Sequence, residues 1–530
     1  MQPRHFLSHT ISIAALCVAV STARADVKLH GLFTDHMVLQ RNATVPVWGW
    51  ADEGETVTVE FRGEKITTAA KNGKWTVYLK KLSAGGPDDF KVTGKNSITL
   101  QDVMVGEVWI ASGQSNMEWS MRNTHLANLE IPKTVNPMVR LYTVPKLKAE
   151  KPVDNVPSSW TACGPETISN FSAVAYYFGR DLQQALGVPV GMIHTSWGGS
   201  PAEVWMRQEV LESNPGFKRD ILDTYAASKK RNEEAIVVWE AERDAAKQAN
   251  QPFTKRKPSL AWRPAELYNG MIAPLIPYAI KGAIWYQGES NAERAYQYRS
   301  LFADMVSNWR HDWNQGDFTF LQVQLAPFKA IKSEPGESSW AELREAQNYA
   351  MKVLPKMGVA VITDVGEEKD IHPRKKEPVG VRLALAARHI AYGENLVWSG
   401  PAYKSMKVKG NKAILSFNHV GSGLEARRAT DIEDATGPAV YDQSRGRIQR
   451  NLKGFSICGE DRNFVWATAE IAGDKVVVSS PQVAKPVAVR YGWADFPVVN
   501  LWNREGLPAS PFRTDDFPMI TAPKSMEAKK

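Results

Sequence analysis

Cysteine is scarce: the 530 residues hold only Cys17, Cys163 and Cys458. Neither their number nor their spacing supports a zinc site, whose ligands come in close pairs. No apolar run reaches the roughly 20 residues that a membrane helix needs. No internal repeat recurs, and neither a P-loop nor a dinucleotide-binding glycine fingerprint is present. Basic residues fall in short clusters, Lys255-Arg256-Lys257 and Lys375-Lys376, rather than in a tract. Nucleic acid is therefore not an expected partner; a solvated face or an affinity for acidic polymers fits such clusters as well.

What is present begins with a leader. Within residues 1–25, Arg4 supplies a positive end, residues 11–20 an apolar core, and Ala23-Arg24-Ala25 a small-x-small cleavage pattern, the grammar of a secretory signal. The mature chain is expected to be exported, to a periplasm or the cell exterior. Cys17, Arg4 and Arg24 leave with the leader, and the formal net charge falls from +8 to +6. For Cys163 and Cys458 a disulfide and two buried thiols both stand open. The chain carries 18 Trp and 15 Tyr, and any exposed ones would make stacking platforms for sugar rings.

The mature length exceeds one typical core, so two or three domains are expected. Residues 26–104 alternate with period two around glycine turns, as in Thr56-Val57-Thr58-Val59-Glu60-Phe61 and Lys74-Trp75-Thr76-Val77-Tyr78-Leu79. This predicts a β-sandwich. Asp35 and His36 are read there as turn or packing residues. Over 105–398, apolar strands alternate with amphipathic helices, predicting an α/β domain with a doubly wound parallel sheet. Residues 209–258 interrupt it with a charge-rich helical insertion whose charges form a wet face. Strand alternation returns over 399–523 as a second β region, and 524–530 form a polar tail.

Within the α/β segment four polar tips follow strand candidates: Ser115 after residues 108–111, Gly198-Gly199 after 188–193, Gln287-Gly288-Glu289 after 282–286, and Asp370-Ile371-His372 beyond 358–364. Ligands of parallel sheets sit at such carboxyl ends. A serine there needs a base to become a nucleophile, and His372 is the best placed histidine, with Asp370 two residues upstream. The turn must bring that carboxylate round, and Asp364 and Glu367 are rivals. Backbone N–H groups of Ser115 and of Gly198 or Gly199, with the Gln287 amide, form a natural set of oxyanion donors. Helix capping for Ser115 and plain turns for the glycine and glutamine tips are the competing structural readings.

These tips belong to longer stretches: residues 31–41, Gly113-Gln114-Ser115-Asn116-Met117, 197–203, 285–291, Asp370-Ile371-His372-Pro373 and 506–515. Taken together and in order, they resemble the sialate O-acetylesterase family, within the SGNH hydrolase group. The resemblance implies an SGNH-like α/β fold and hydrolysis of acetyl esters on a sugar or glycan without metal or cofactor. Ser115 would be nucleophile, His372 base, and Gly199 and Gln287 oxyanion donors, with Asn116, Gly198 and Glu289 lining the site. The wider group places its acid three residues before the histidine. Here that position is Lys369, so Asp370 one step later, or a Ser–His dyad, remains open. Sialic acid would call for an arginine such as Arg122, Arg294 or Arg344; acetylated xylan would call for an aromatic groove, with Trp119, Trp197, Trp205 and Trp285 as candidate walls. A non-catalytic carbohydrate-binding protein is the alternative of another class.

Overall fold

A computed structural model describes residues 26–258, 260–427 and 451–523. The leader at 1–25 and the tail at 524–530 lie outside them. Its centre is a sheet ordered Trp160–Cys163, Asn136–Thr143, Val190–Ser196, Ser97–Gly113, Gly282–Tyr286, Thr319–Val323, Met357–Ala360. Trp160–Cys163 is antiparallel at one edge, and every other neighbouring pair along this path is parallel. Strands such as Val190–Ser196 and Gly282–Tyr286 are buried at every position, as a sheet covered on both faces requires.

Two cores flank the sheet. Trp109, Ala111, Ile284, Tyr286 and Leu321 pack on one side with the helices Ala173–Leu186 and Glu377–Ile390. Ile110, Ala283, Trp285 and Phe320 pack on the other with Ala295–Trp313 and Ser339–Val353. The alternation along each strand sends neighbours to opposite cores. The sequence places Ala173–Leu186 well: Val174, Tyr177, Phe178 and Leu182 all face inward, and the Ser172 hydroxyl caps its start by accepting the Ala175 N–H at 3.2 Å.

The expected boundary between residues 104 and 105 falls inside one strand. Ser97–Gly113 runs 17 residues; its first half pairs antiparallel with Gly85–Thr93 and its second half parallel with Val190–Ser196 and Gly282–Tyr286. Between the halves Asp102 takes φ 56°, and its carboxylate is gripped by Arg140 at 2.6 and 2.9 Å and by His36 Nδ1 at 2.7 Å. Asp35 accepts the Gln101 N–H at 2.7 Å. Asp35 and His36 thus brace the junction, as their packing reading predicts. Before it, the sheet of Lys28–Leu29, Val45–Trp50 and Lys74–Leu79 faces Thr56–Phe61 and Gly85–Thr93, with Val47, Trp75, Val77, Val59 and Phe90 in one core.

The insertion carries the helix Thr224–Gln248, 25 residues with none buried, so its charges are solvated. After residue 399, the described residues form antiparallel sheets of five, four and two strands around a separate core that holds Phe455, Val476, Tyr491 and Leu501. Cys163 and Cys458 are both free and buried; burial pushes their thiols up to about 12 and about 11. No described helix is long and apolar enough to cross a membrane.

Candidate active site

The long central strand ends at Gly113, and its carbonyl end sets the site. Gly113 takes φ +137° with a would-be Cβ only 2.2 Å from the Tyr286 carbonyl oxygen, so no side chain fits. Gln114 donates its N–H to the same carbonyl at 3.0 Å. The chain then makes one helical turn, Ser115–Glu118, which leaves the Ser115 side chain partly exposed.

His372 arrives on the loop after the sheet's last strand, and its Nε2 lies 2.8 Å from Ser115 Oγ. The turn does bring Asp370 round: Oδ1 accepts the His372 backbone N–H at 2.9 Å and lies 3.3 Å from Nδ1. With Nδ1 protonated toward that carboxylate, Nε2 carries the lone pair that faces the serine proton. The imidazole stacks on Trp119, centroids 5.2 Å apart at 17°. Burial holds its pKa below the usual histidine value, Asp370 pulls it up, and Lys376 pushes it down.

The rival acids are engaged elsewhere. Asp364 is clasped by both arms of Arg382 at 2.6 and 2.7 Å, and Glu367 accepts the Arg374 N–H at 3.2 Å. Other histidines hold structure: the buried His194 meets the Ser196 hydroxyl at 2.6 Å, and His389 meets the Glu394 carbonyl at 2.9 Å.

The expected oxyanion donors separate. The Gly198-Gly199 turn does sit against Ser115, a Cβ on Gly198 falling 3.2 Å from Ser115 Cβ. However, the Gly198 N–H is taken by Glu118 Oε2 at 2.7 Å. Gly199, at φ +76°, and Ser115 keep N–H groups without a partner among the described residues. Gln287 does not reach the serine's open side. It is fully buried, its amide nitrogen donates to Asn291 at 2.7 Å and Ser200 O at 3.3 Å, and its oxygen accepts the Tyr298 hydroxyl at 2.9 Å. Asn116 also turns inward, to Glu289 at 2.6 Å and to the Ile371 carbonyl at 3.0 Å. Neither Asn116 nor Glu289 therefore lines the open side as expected.

Comparison with known proteins now bears on this geometry. Residues 257–388 match the family "Carbohydrate esterase, sialic acid-specific acetylesterase". The chain is similar to sialate O-acetylesterases of Mus musculus, 28% identical over 87% of this chain and 88% of that one, and of Homo sapiens, 29% identical over 90% of each. It is also similar to the crystal structure of a carbohydrate acetylesterase from Xanthomonas citri, at 38% identity and TM-score 0.77, over 93% of this chain and 100% of that chain. The chain belongs to the carbohydrate O-acetylesterases. It is an enzyme of the serine-hydrolase type, built on an α/β esterase fold with an additional C-terminal β region.

Around this esterase's serine, the tryptophans divide. Trp205 and Trp285 are fully buried and belong to the core rather than to a sugar-binding wall. Trp119 and Trp197 are half-buried, and Trp197 meets Trp262 edge-on at 5.7 Å. Two lysines complete this wall: Lys148 Nζ lies 3.9 Å above the Trp262 ring, and Lys146 pairs with Glu118 at 2.6 Å. Trp262, Lys146 and Lys148 escape sequence reasoning because they lie in stretches without strand or helix periodicity. Of the arginines, Arg344 is buried against the carbonyls of Leu325, Ala326, Ala494 and Asp495, and Arg294 pairs with Glu203 at 2.6 Å. Arg122 is exposed on a short turn beyond Trp119.

Proposed function

We propose that Ser115 attacks the carbonyl of an acetyl ester on a sugar hydroxyl, with His372 as base and Asp370 orienting the imidazole. The observation that carries this reading is the run from Ser115 Oγ to His372 Nε2 at 2.8 Å and from Nδ1 to Asp370 at 3.3 Å. His372 takes the hydroxyl proton as the tetrahedral oxyanion forms, and the unpartnered N–H groups of Ser115 and Gly199 stabilise it. The imidazolium then protonates the departing sugar oxygen. Water, deprotonated by the same ring, releases acetate from Ser115.

O-acetylated sialic acid is the substrate we favour, on the family description and the curated relatives. Arg122 is then the residue for its carboxylate. The half-buried Trp119 and Trp197 favour a second reading, an acetylated neutral glycan such as xylan lying on an aromatic wall. We read the parallel sheet, with helices on both faces, as the SGNH-hydrolase winding, the stretch to residue 398 as the catalytic unit, entered within the strand Ser97–Gly113 that it shares with the N-terminal layers, and residues 1–25 as an export leader.

Acetate release from O-acetylated sialic acid and from acetylxylan, by wild type, Ser115→Ala and His372→Ala, tests the proposal. Wild type is expected to act on the first, and each variant to lose at least about 10³-fold in kcat. Acetate from acetylxylan alone would move the substrate to the second reading. Full activity in Ser115→Ala would remove the mechanism.

A further inference from the structure

Behind the nucleophile lie a buried ammonium and a partly buried carboxylate, those of Lys376 and Glu289, that the hydrolysis does not consume. Lys376 is 1% exposed; its Nζ donates to Asn116 Oδ1 at 2.5 Å and sits 5.7 and 5.3 Å from the ring centres of Trp119 and Tyr286. Asn116 gives its amide hydrogens to Glu289 Oε1 and to the Ile371 carbonyl. Burying an ammonium and a carboxylate costs several kcal/mol each unless other groups compensate. Here the hydrogen-bonded part of that compensation runs through a single amide, with the ammonium at its oxygen and the carboxylate at its nitrogen.

That arrangement selects one of the two flips open to an asparagine side chain. In the selected flip, Asn116, adjacent to Ser115, holds the carbonyl of Ile371, adjacent to His372. Two segments far apart in the chain are thereby latched one residue away from each reacting group.

Taking Ser115 and His372 as nucleophile and base, we propose that Lys376 is a positioning residue: with Glu289 opposite, it fixes the Asn116 latch and so the separation of Ser115 from His372. A charge effect accompanies the geometry. The titratable groups facing Lys376 are Glu289, Asp370, Glu367 and Tyr286; those facing His372 are Asp370 and Lys376. Burial brings Lys376 down to about 7, so it is still largely charged in the more acidic range where His372 titrates. There it opposes Asp370 and disfavours a second positive charge on the imidazole.

The test compares wild type, Lys376→Met, Lys376→Gln and Ser115→Ala on p-nitrophenyl acetate from about pH 5 to 9, with thermal unfolding measured beside it. Lys376→Met is expected to lower kcat about 10- to 100-fold, as small misplacements of reacting groups do, with KM within about twofold. Its acid limb of kcat/KM should move up by about half to one pH unit. Lys376→Gln still offers Asn116 an N–H but no charge; it should recover part of kcat and keep the shifted limb. Should Lys376→Met fail to fold, Lys376→Gln decides by its limb alone. An unshifted limb in a folded variant, or a rise in KM with kcat intact, overturns the proposal. Full activity in Ser115→Ala would instead remove the nucleophile reading beneath it, whatever the lysine variants do.

Discussion

Asp370 does two things with one oxygen: it accepts the backbone N–H of His372, which shapes the turn, and it faces Nδ1, which sets the tautomer. The second contact is long at 3.3 Å, and the carboxylate side chain is 46% exposed. Water therefore competes for it, and its hold on the imidazolium is weaker than that of a dry triad acid. Asp370→Asn is accordingly expected to lower kcat about 10- to 100-fold, short of the roughly 10⁴-fold seen where the acid is buried. Steady-state rates on an acetylated sugar check this; a loss under about threefold would mean that the serine and histidine work as a dyad. The sequence names the residue types at this site but not their reach. Asp370 is legible as a candidate, yet its rivals fall away only when Arg382 is seen to clasp Asp364. Gln287 and Asn116 are legible as polar residues at strand ends. Which way each points depends on one residue of phase past the strand, and both turn inward.

One helical turn cannot sustain itself in water, so the Ser115–Glu118 helix owes its shape to its neighbours. The Ser172 hydroxyl donates to the Met117 carbonyl at 2.6 Å, and Glu118 reaches across to the Gly198 N–H and to Lys146. Glu118 thus joins the Ser115–Glu118 helix to the turn that carries the Gly199 N–H. A charge-assisted hydrogen bond of this kind contributes about 1.5–3 kcal/mol. Glu118→Ala should loosen the turn, lower kcat/KM about 10- to 100-fold and lower the unfolding midpoint by a few degrees; an unaltered kcat/KM would show that the turn holds itself. The turn and the helix lie in stretches whose motifs are legible, because a glycine at a strand's end and a serine after it are local signals. The joining carboxylate is not, since nothing in sequence pairs residue 118 with residue 198. Elements vanish from the sequence for a related reason. Glu64–Ala69 alternates only between partly and fully exposed positions, so no apolar face announces it, and Gly85–Thr93 opens with two glycines and a proline. The first half of Ser97–Gly113 is equally quiet. Its merger with the catalytic strand rests on Arg140 and His36 meeting Asp102, a contact between distant residues.

Because that strand threads both regions, the N-terminal β layers and one face of the catalytic sheet share a single core. Two buried histidines then make the whole responsive to acid. His30 lies close to Trp48 and Trp50, with ring centres 4.9 and 6.0 Å away; His194 lies in the sheet behind the site. Burial lowers both to about 4, against 6.5 when unfolded. The unfolded chain therefore takes up protons below about pH 6.5 that the folded chain refuses until about pH 4. Their contribution is complete above pH 6.5 and is lost as pH falls through that window, by at most about 3 kcal/mol for each histidine. His30→Asn keeps an acceptor for the Leu32 N–H, which His30 Nδ1 now bonds at 3.2 Å, and His194→Gln keeps a partner for Ser196. Neither replacement titrates. The double variant should lose less of its unfolding temperature between pH 7 and 4.5 than wild type does, the difference removing the common background of carboxylate protonation. In wild type, the irreversible loss of esterase activity after acid exposure, assayed on return to neutral pH so that protonation of His372 itself does not enter, should coincide with the change in tryptophan fluorescence, because a protonated His30 strains the same core that supports Trp285 beneath the active site. Equal falls in both proteins would place the acid sensitivity in the carboxylates, and activity lost well before fluorescence would mean that the two regions do not unfold as one.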